Sequence, residues 1–161
     1  MTMVGQSRFH GRAAYVFGSA ALALLILVAS TMSAAAQQSP AAYMQRVANE
    51  LIAAQRSGSQ ADFARVIRSH ADVPSIAINA LGSYAASLKK SDRPAYYAGM
   101  VNFIARYAAT EGPKYPVARA VMTGQTRETA QGFYVDSRIT LSSGTSYDVR
   151  WRIVRRGSAF K

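Results

Sequence analysis

The sequence predicts an α+β domain: N-terminal helices packed on one face of a curved antiparallel sheet, with an apolar pocket between them. Three observations predict it. Residues 44–108 repeat their apolar positions at helical spacing, the period changes to alternation after Glu111-Gly112-Pro113, and the alternating segments have one apolar and one charged face.

The chain opens with Arg8, His10 and Arg12, followed by an almost uncharged run from Ala13 to Met32 and then small residues. That is the three-part layout of a cleavable secretory signal peptide, residues 1–36. Ala34 and Ala36 satisfy the small-x-small rule, so cleavage is expected before Gln37. The alternative is an uncleaved anchor, since the apolar run is about long enough to span a bilayer. Residues 37–161 are enough for one domain with a core and too few for two.

The first helix carries Met44, Val47, Ala48, Leu51 and Ile52 on one stripe and ends at Ser57-Gly58. Ser59 and Asp62 resemble a capping box opening a short second helix whose buried side is Phe63, Val66 and Ile67, with His70 near its end. A third segment starts at Asp72-Val73-Pro74 and carries Ile76, Ala77, Ala80, Leu81 and Tyr84. The fourth begins at Ser91-Asp92-Arg93-Pro94. Tyr97, Val101, Ile104 and Ala108 form one stripe on it, and Tyr96, Met100, Phe103 and Tyr107 an adjacent one. So wide an apolar arc is expected to be buried against two surfaces, one of them the sheet.

Val117–Thr123, Gln131–Leu141 and Ser146–Arg155 read as strands, the last two joined by Ser142-Ser143-Gly144-Thr145. Phe133, Val135, Ile139 and Leu141 share one face with Tyr147, Val149, Trp151 and Ile153 of the neighbouring strand. Asp136, Arg138, Asp148, Arg150 and Arg152 occupy the other. Gly157-Ser158 turns the chain into a further strand at Ala159-Phe160-Lys161.

Nineteen Lys and Arg against eight Asp and Glu give a net charge of +11, and loss of Arg8 and Arg12 with the leader leaves +9. A basic exported chain is suited to anionic lipid or acidic protein surfaces, and nucleic acid is not expected as a partner. Arg150, Arg152, Arg155 and Arg156 alternate with apolar residues as a half-exposed strand does, without aromatics on the wet face to stack bases.

No cysteine is present, which removes disulfides, thiolate catalysis and cysteine-based metal sites. His70 is the single histidine after residue 36, and its polar Arg-Ser-His-Ala-Asp setting reads as a surface or helix-end position. Asp62, Asp72 and Asp92 each stand at a helix start, where capping explains them. Ser87-Leu88-Lys89-Lys90 and Ser91-Asp92-Arg93 imitate parts of the penicillin-binding signature. There the parts are far apart and joined by a K-T-G that this chain lacks, so the stretch reads as a solvated connection. No catalytic residue, metal site or cofactor is assigned.

The run Leu81-Gly82-x-Tyr84, then Arg93-x-Ala95-Tyr96-Tyr97 leading into Phe103-Ile104, and the strand ending in Asp148-x-x-Trp151-Arg152 resemble the MlaC or toluene-tolerance family. The resemblance runs from about Tyr43 to Lys161. It implies a non-enzymatic periplasmic phospholipid carrier, the substrate-binding component of an ABC-type transport system that maintains outer-membrane lipid asymmetry. The implied partners are phospholipid, an outer-membrane lipoprotein–porin complex and an inner-membrane complex of MCE protein and ABC transporter. It also implies more strand and helix beyond Lys161.

A hydrocarbon tail needs only an uncharged apolar lining, at about 0.8 kcal/mol per buried methylene. The expected lining is Ile76, Ala80 and Tyr84 of the third segment, and Tyr97, Met100, Val101 and Ile104 of the fourth. From the strands come Phe133, Val135 and Ile139, and then Tyr147, Val149 and Trp151. The alternative is a cone of the nuclear-transport-factor kind, a small-ligand binder or enzyme. That needs an Asp, His or Tyr inside, and only tyrosines stand at the inward positions.

Overall fold

The computed structural model describes residues 38–161, so the expected leader and cleavage site lie outside the described residues. Helix α1 spans Pro40–Ser57, α2 Gln60–His70, α3 Val73–Leu81 and α4 Arg93–Glu111. Strands β1 (Val117–Thr129), β2 (Gly132–Leu141) and β3 (Ser146–Ile153) follow, then the short pair β4 (Arg155–Arg156) and β5 (Ala159–Phe160).

Local chemistry sets the helix ends. The Ser39 hydroxyl accepts from the Ala42 N–H at 3.2 Å with Pro40 in the first turn. Gly58 closes α1 at φ 64°, where its N–H reaches the Ala54 and Gln55 carbonyls. Ser59 caps α2 by accepting from the Asp62 N–H, and the Asp62 carboxylate accepts from Ser57 Oγ at 2.8 Å. Asp72 and Asp92 stand at the expected N-terminal positions without a side-chain cap bond. Gly82 at φ 54° ends α3 early, and Gly82–Ser87 continues as 3-10 turns. Tyr84 therefore leaves the helical stripe and is 74% exposed.

The sheet is antiparallel in the order β1-β2-β3. β1 runs beyond the expected Thr123 because a bulge between Thr123 and Arg127, containing Gly124 at φ 70°, lets pairing resume at Arg127↔Tyr134. Beyond β3, Val154 and Lys161 exchange both backbone bonds at 2.8 and 2.9 Å, closing the small hairpin around Gly157.

The helix seated on the sheet is α1. Its Tyr43, Met44 and Val47 pack with Val135 and Ile153. Two glutamines stitch it to the first strand: Gln45 bonds the Ala120 carbonyl and the Met122 N–H, and Gln55 accepts from the Val117 N–H at 2.8 Å. α2 and α4 form an outer layer, where Ala54, Phe63, Ala64, Val66, Val101 and Ala105 make a second core. This corrects the expectation that the wide arc of α4 is covered on two sides. Its small side, Val101 and Ala105, packs on α2, whereas Phe103 and Tyr107 are 60% and 62% exposed.

Candidate functional site

Between α1, α2, the start of α3 and the end of β3 lies a cavity of about 250 Å³. Met44, Val47 and Leu51 line it from α1, Val66 and Ile67 from α2, Ile76 from α3, and Trp151 and Ile153 from β3. Its polar members come from two places, the α2–α3 junction (His70, Asp72, Ser75) and the end of the sheet (Arg152, Lys161). A molecule with an apolar body and a charged end would meet matching surfaces there.

A second, more open groove of about 420 Å³ runs along the other flank of α1. Ala48, Leu51, Ile52 and Phe63 line it with Tyr107 and Ala108 of α4, and Ile139 and Trp151 of the sheet.

The expected lining residues scatter. Ile76 and Trp151 line the cavity, and Ile139 and Trp151 the second groove. Tyr97 and Val101 border a shallow space beside Val73 and Pro74. Ala80, Tyr84, Met100, Ile104, Phe133, Val135, Tyr147 and Val149 line neither the cavity nor the second groove. Val135 is buried beneath α1, and Tyr147, near the β2–β3 hairpin, is 54% exposed. The expected lining named no residue of α1 or α2, whose Met44, Val47, Leu51, Val66 and Ile67 border the cavity. The signal was there in Met44, Val47 and Leu51, and the helix that faces the sheet was misassigned.

His70 closes α2, the helix-end position that the sequence suggests, but it is not a surface residue. Its side chain is 15% exposed. Nδ1 lies 3.1 Å from the Tyr43 hydroxyl, and Nε2 3.0 Å from Glu50 Oε2, so Nε2 carries the proton facing that carboxylate. The Tyr43 hydroxyl, which has a single proton to share, also lies 3.0 Å from the Phe160 carbonyl, and Arg65 stands 3.8 Å from Glu50. Burial pushes the Tyr43 hydroxyl above its ordinary value, opposed by Arg46 and reinforced by Glu50. The network ties α1, α2 and β5 together at the mouth of the cavity.

Two further contacts hold the chain end. Arg156 bonds the Asp72 carboxylate and Ser75 Oγ, and Lys161 Nζ caps the last carbonyls of α2 at Ser69. Burial raises the Asp72 carboxyl, but hydrogen bonds from Ser75 and Arg156 and the guanidinium charge outweigh it and hold it below the ordinary value. On the opposite face of the sheet, Arg138 pairs with Asp148 at 2.8 Å and Arg150 with Asp136 at 2.6 Å. These pairs offset part of the basic charge expected there.

Among the described residues no three His, Cys, Asp or Glu side chains gather as a metal site, and no helix is long and apolar enough to cross a membrane.

A helix-covered antiparallel sheet, with a largely apolar cavity between α1, α2, α3 and β3, defines an α+β protein. The profile described as MlaC protein matches residues 37–161, and the chain belongs to that family. The family is one of periplasmic phospholipid-binding proteins. Neither a curated protein nor a solved structure matches the chain.

Proposed function

We propose that this chain carries phospholipid through the periplasm as the soluble component of an ABC-type lipid transport system. The observation that supports it most is the largely apolar cavity between α1, α2, α3 and β3, with a few polar and charged residues on its wall, in a chain of the MlaC family. Hydrocarbon occupies the apolar part, and the headgroup lies toward His70, Ser75, Arg152 and Lys161. The partners are an outer-membrane lipoprotein–porin complex and an inner-membrane complex of MCE protein and ABC transporter. The excess of basic residues favours fast, salt-sensitive encounters with such anionic surroundings.

Mass spectrometry of organic extracts from protein purified out of a periplasm tests this. Phospholipid in a fixed ratio to protein is the expected result. An extract without phospholipid, from protein that is folded by circular dichroism, would overturn the reading.

A further inference from the structure

The cavity and the second groove have two lining residues in common, Leu51 of α1 and Trp151 of β3. These two side chains are the wall between the spaces. Trp151 is pinned there: its indole N–H donates to Ser137 Oγ at 2.8 Å, and Ser137, fully buried, donates in turn to the Val149 carbonyl. A buried serine in the middle of an otherwise apolar sheet face has no packing advantage over alanine. Its hydroxyl satisfies the indole N–H and fixes the ring against rotation.

Size decides what the wall can do. Scaled from a void of about 150 Å³ that accepts a six-carbon ring, or about 25 Å³ per carbon, the cavity holds about ten carbons and the groove about seventeen. Neither space takes two long hydrocarbon chains: the groove has room for about one, and the cavity for the inner part of another. We infer that Trp151 and Leu51 divide a two-chain lipid, one acyl chain on each side of the wall, with Ser137 as the positioning residue that holds the divider upright. This rests on the carrier reading.

Trp151 is the single tryptophan of the chain, so it reports on both sides at once. The full mature protein, stripped of lipid, is reloaded with phosphatidylglycerol brominated on the sn-1 chain alone or on the sn-2 chain alone. Bromine quenches indole emission only at close range. Equal loss of emission from the two lipids is expected. Loss from one lipid only, or from neither while native mass spectrometry shows one lipid bound, would overturn the division.

The variant Ser137→Ala tests the positioning role. Freed from its acceptor, the indole is expected to shift its emission maximum in the lipid-free protein and to lose the equality of quenching in the reloaded one. Unchanged emission and equal quenching would remove Ser137 from the account. If native mass spectrometry shows that the wild-type protein takes up no lipid, the carrier reading itself falls, an outcome distinct from a lipid bound with one-sided quenching.

Discussion

The Tyr43 hydroxyl lies 3.1 Å from His70 Nδ1 and 3.0 Å from the Phe160 carbonyl, joining the first helix to the second and to the last strand through one oxygen. The same ring stacks edge-on to His70 and lies 5.4 Å from Phe160, with Arg155 over Phe160 on the far side. Tyr43→Phe keeps the packing and removes the donor. It is expected to cost about 1–3 kcal/mol, the penalty of leaving buried polar groups unpaired. Urea unfolding gives the total, and amide exchange should quicken at Val154 and Lys161, which pair beside the lost bond.

His70→Ala is expected to destabilise by about 1–2 kcal/mol, through the lost hydrogen bond to Glu50 and the unfilled space beside Tyr43. A loss indistinguishable from a surface substitution would return His70 to the periphery that the sequence suggested.

Gly132 sits at φ 121°, and a Cβ there would collide with the carbonyl oxygen of Ile153 across the β2–β3 ladder. Gly132→Ala is therefore expected to destabilise by about 2 kcal/mol or more, combining a forbidden φ with a backbone clash. Thermal unfolding beside Gly144→Ala, whose Cβ meets nothing within 4 Å, separates the clash from the strain of positive φ alone.

The Asp72–Arg156 pair ties α3 to β4. Because the folded carboxyl is held below its ordinary value, near about 3.9, the pair contributes fully above that value. The contribution is lost as pH falls through the folded one. Asp72→Asn should lower stability by about 1 kcal/mol at pH 6, since the arginine is largely exposed. The difference from wild type should shrink progressively below pH about 4. A difference that persists unchanged in acid would mean that the charge is not its source.

Much of the fold was legible because it is written locally. The stripe Met44, Val47, Leu51 gives a helix, Ser59 marks the start of the next, and the alternation around Val135 and Trp151 gives the paired strands. Depth was not legible. Phe103 and Tyr107 repeat at the same spacing as Val101 and Ala105, yet one pair is open to solvent and the other closed. Periodicity fixes a face and says nothing of what covers it. The burial of His70 was not legible for a related reason: its partners stand 27 and 20 residues earlier in the chain, and nothing in its immediate neighbours announces them.

The most direct test of the central claim is the phospholipid content of Ile76→Glu. Ile76 lines the cavity from α3 but is 44% exposed, so the substitution leaves the two cores intact. A carboxylate beside acyl chains costs several kcal/mol unless it escapes to water, and either outcome spoils the apolar lining. Bound phospholipid per protein, measured by mass spectrometry of the extract, should fall at least several-fold while the unfolding temperature stays near that of wild type. A variant that unfolds normally and keeps its full complement of phospholipid would contradict the placement of the lipid in this cavity.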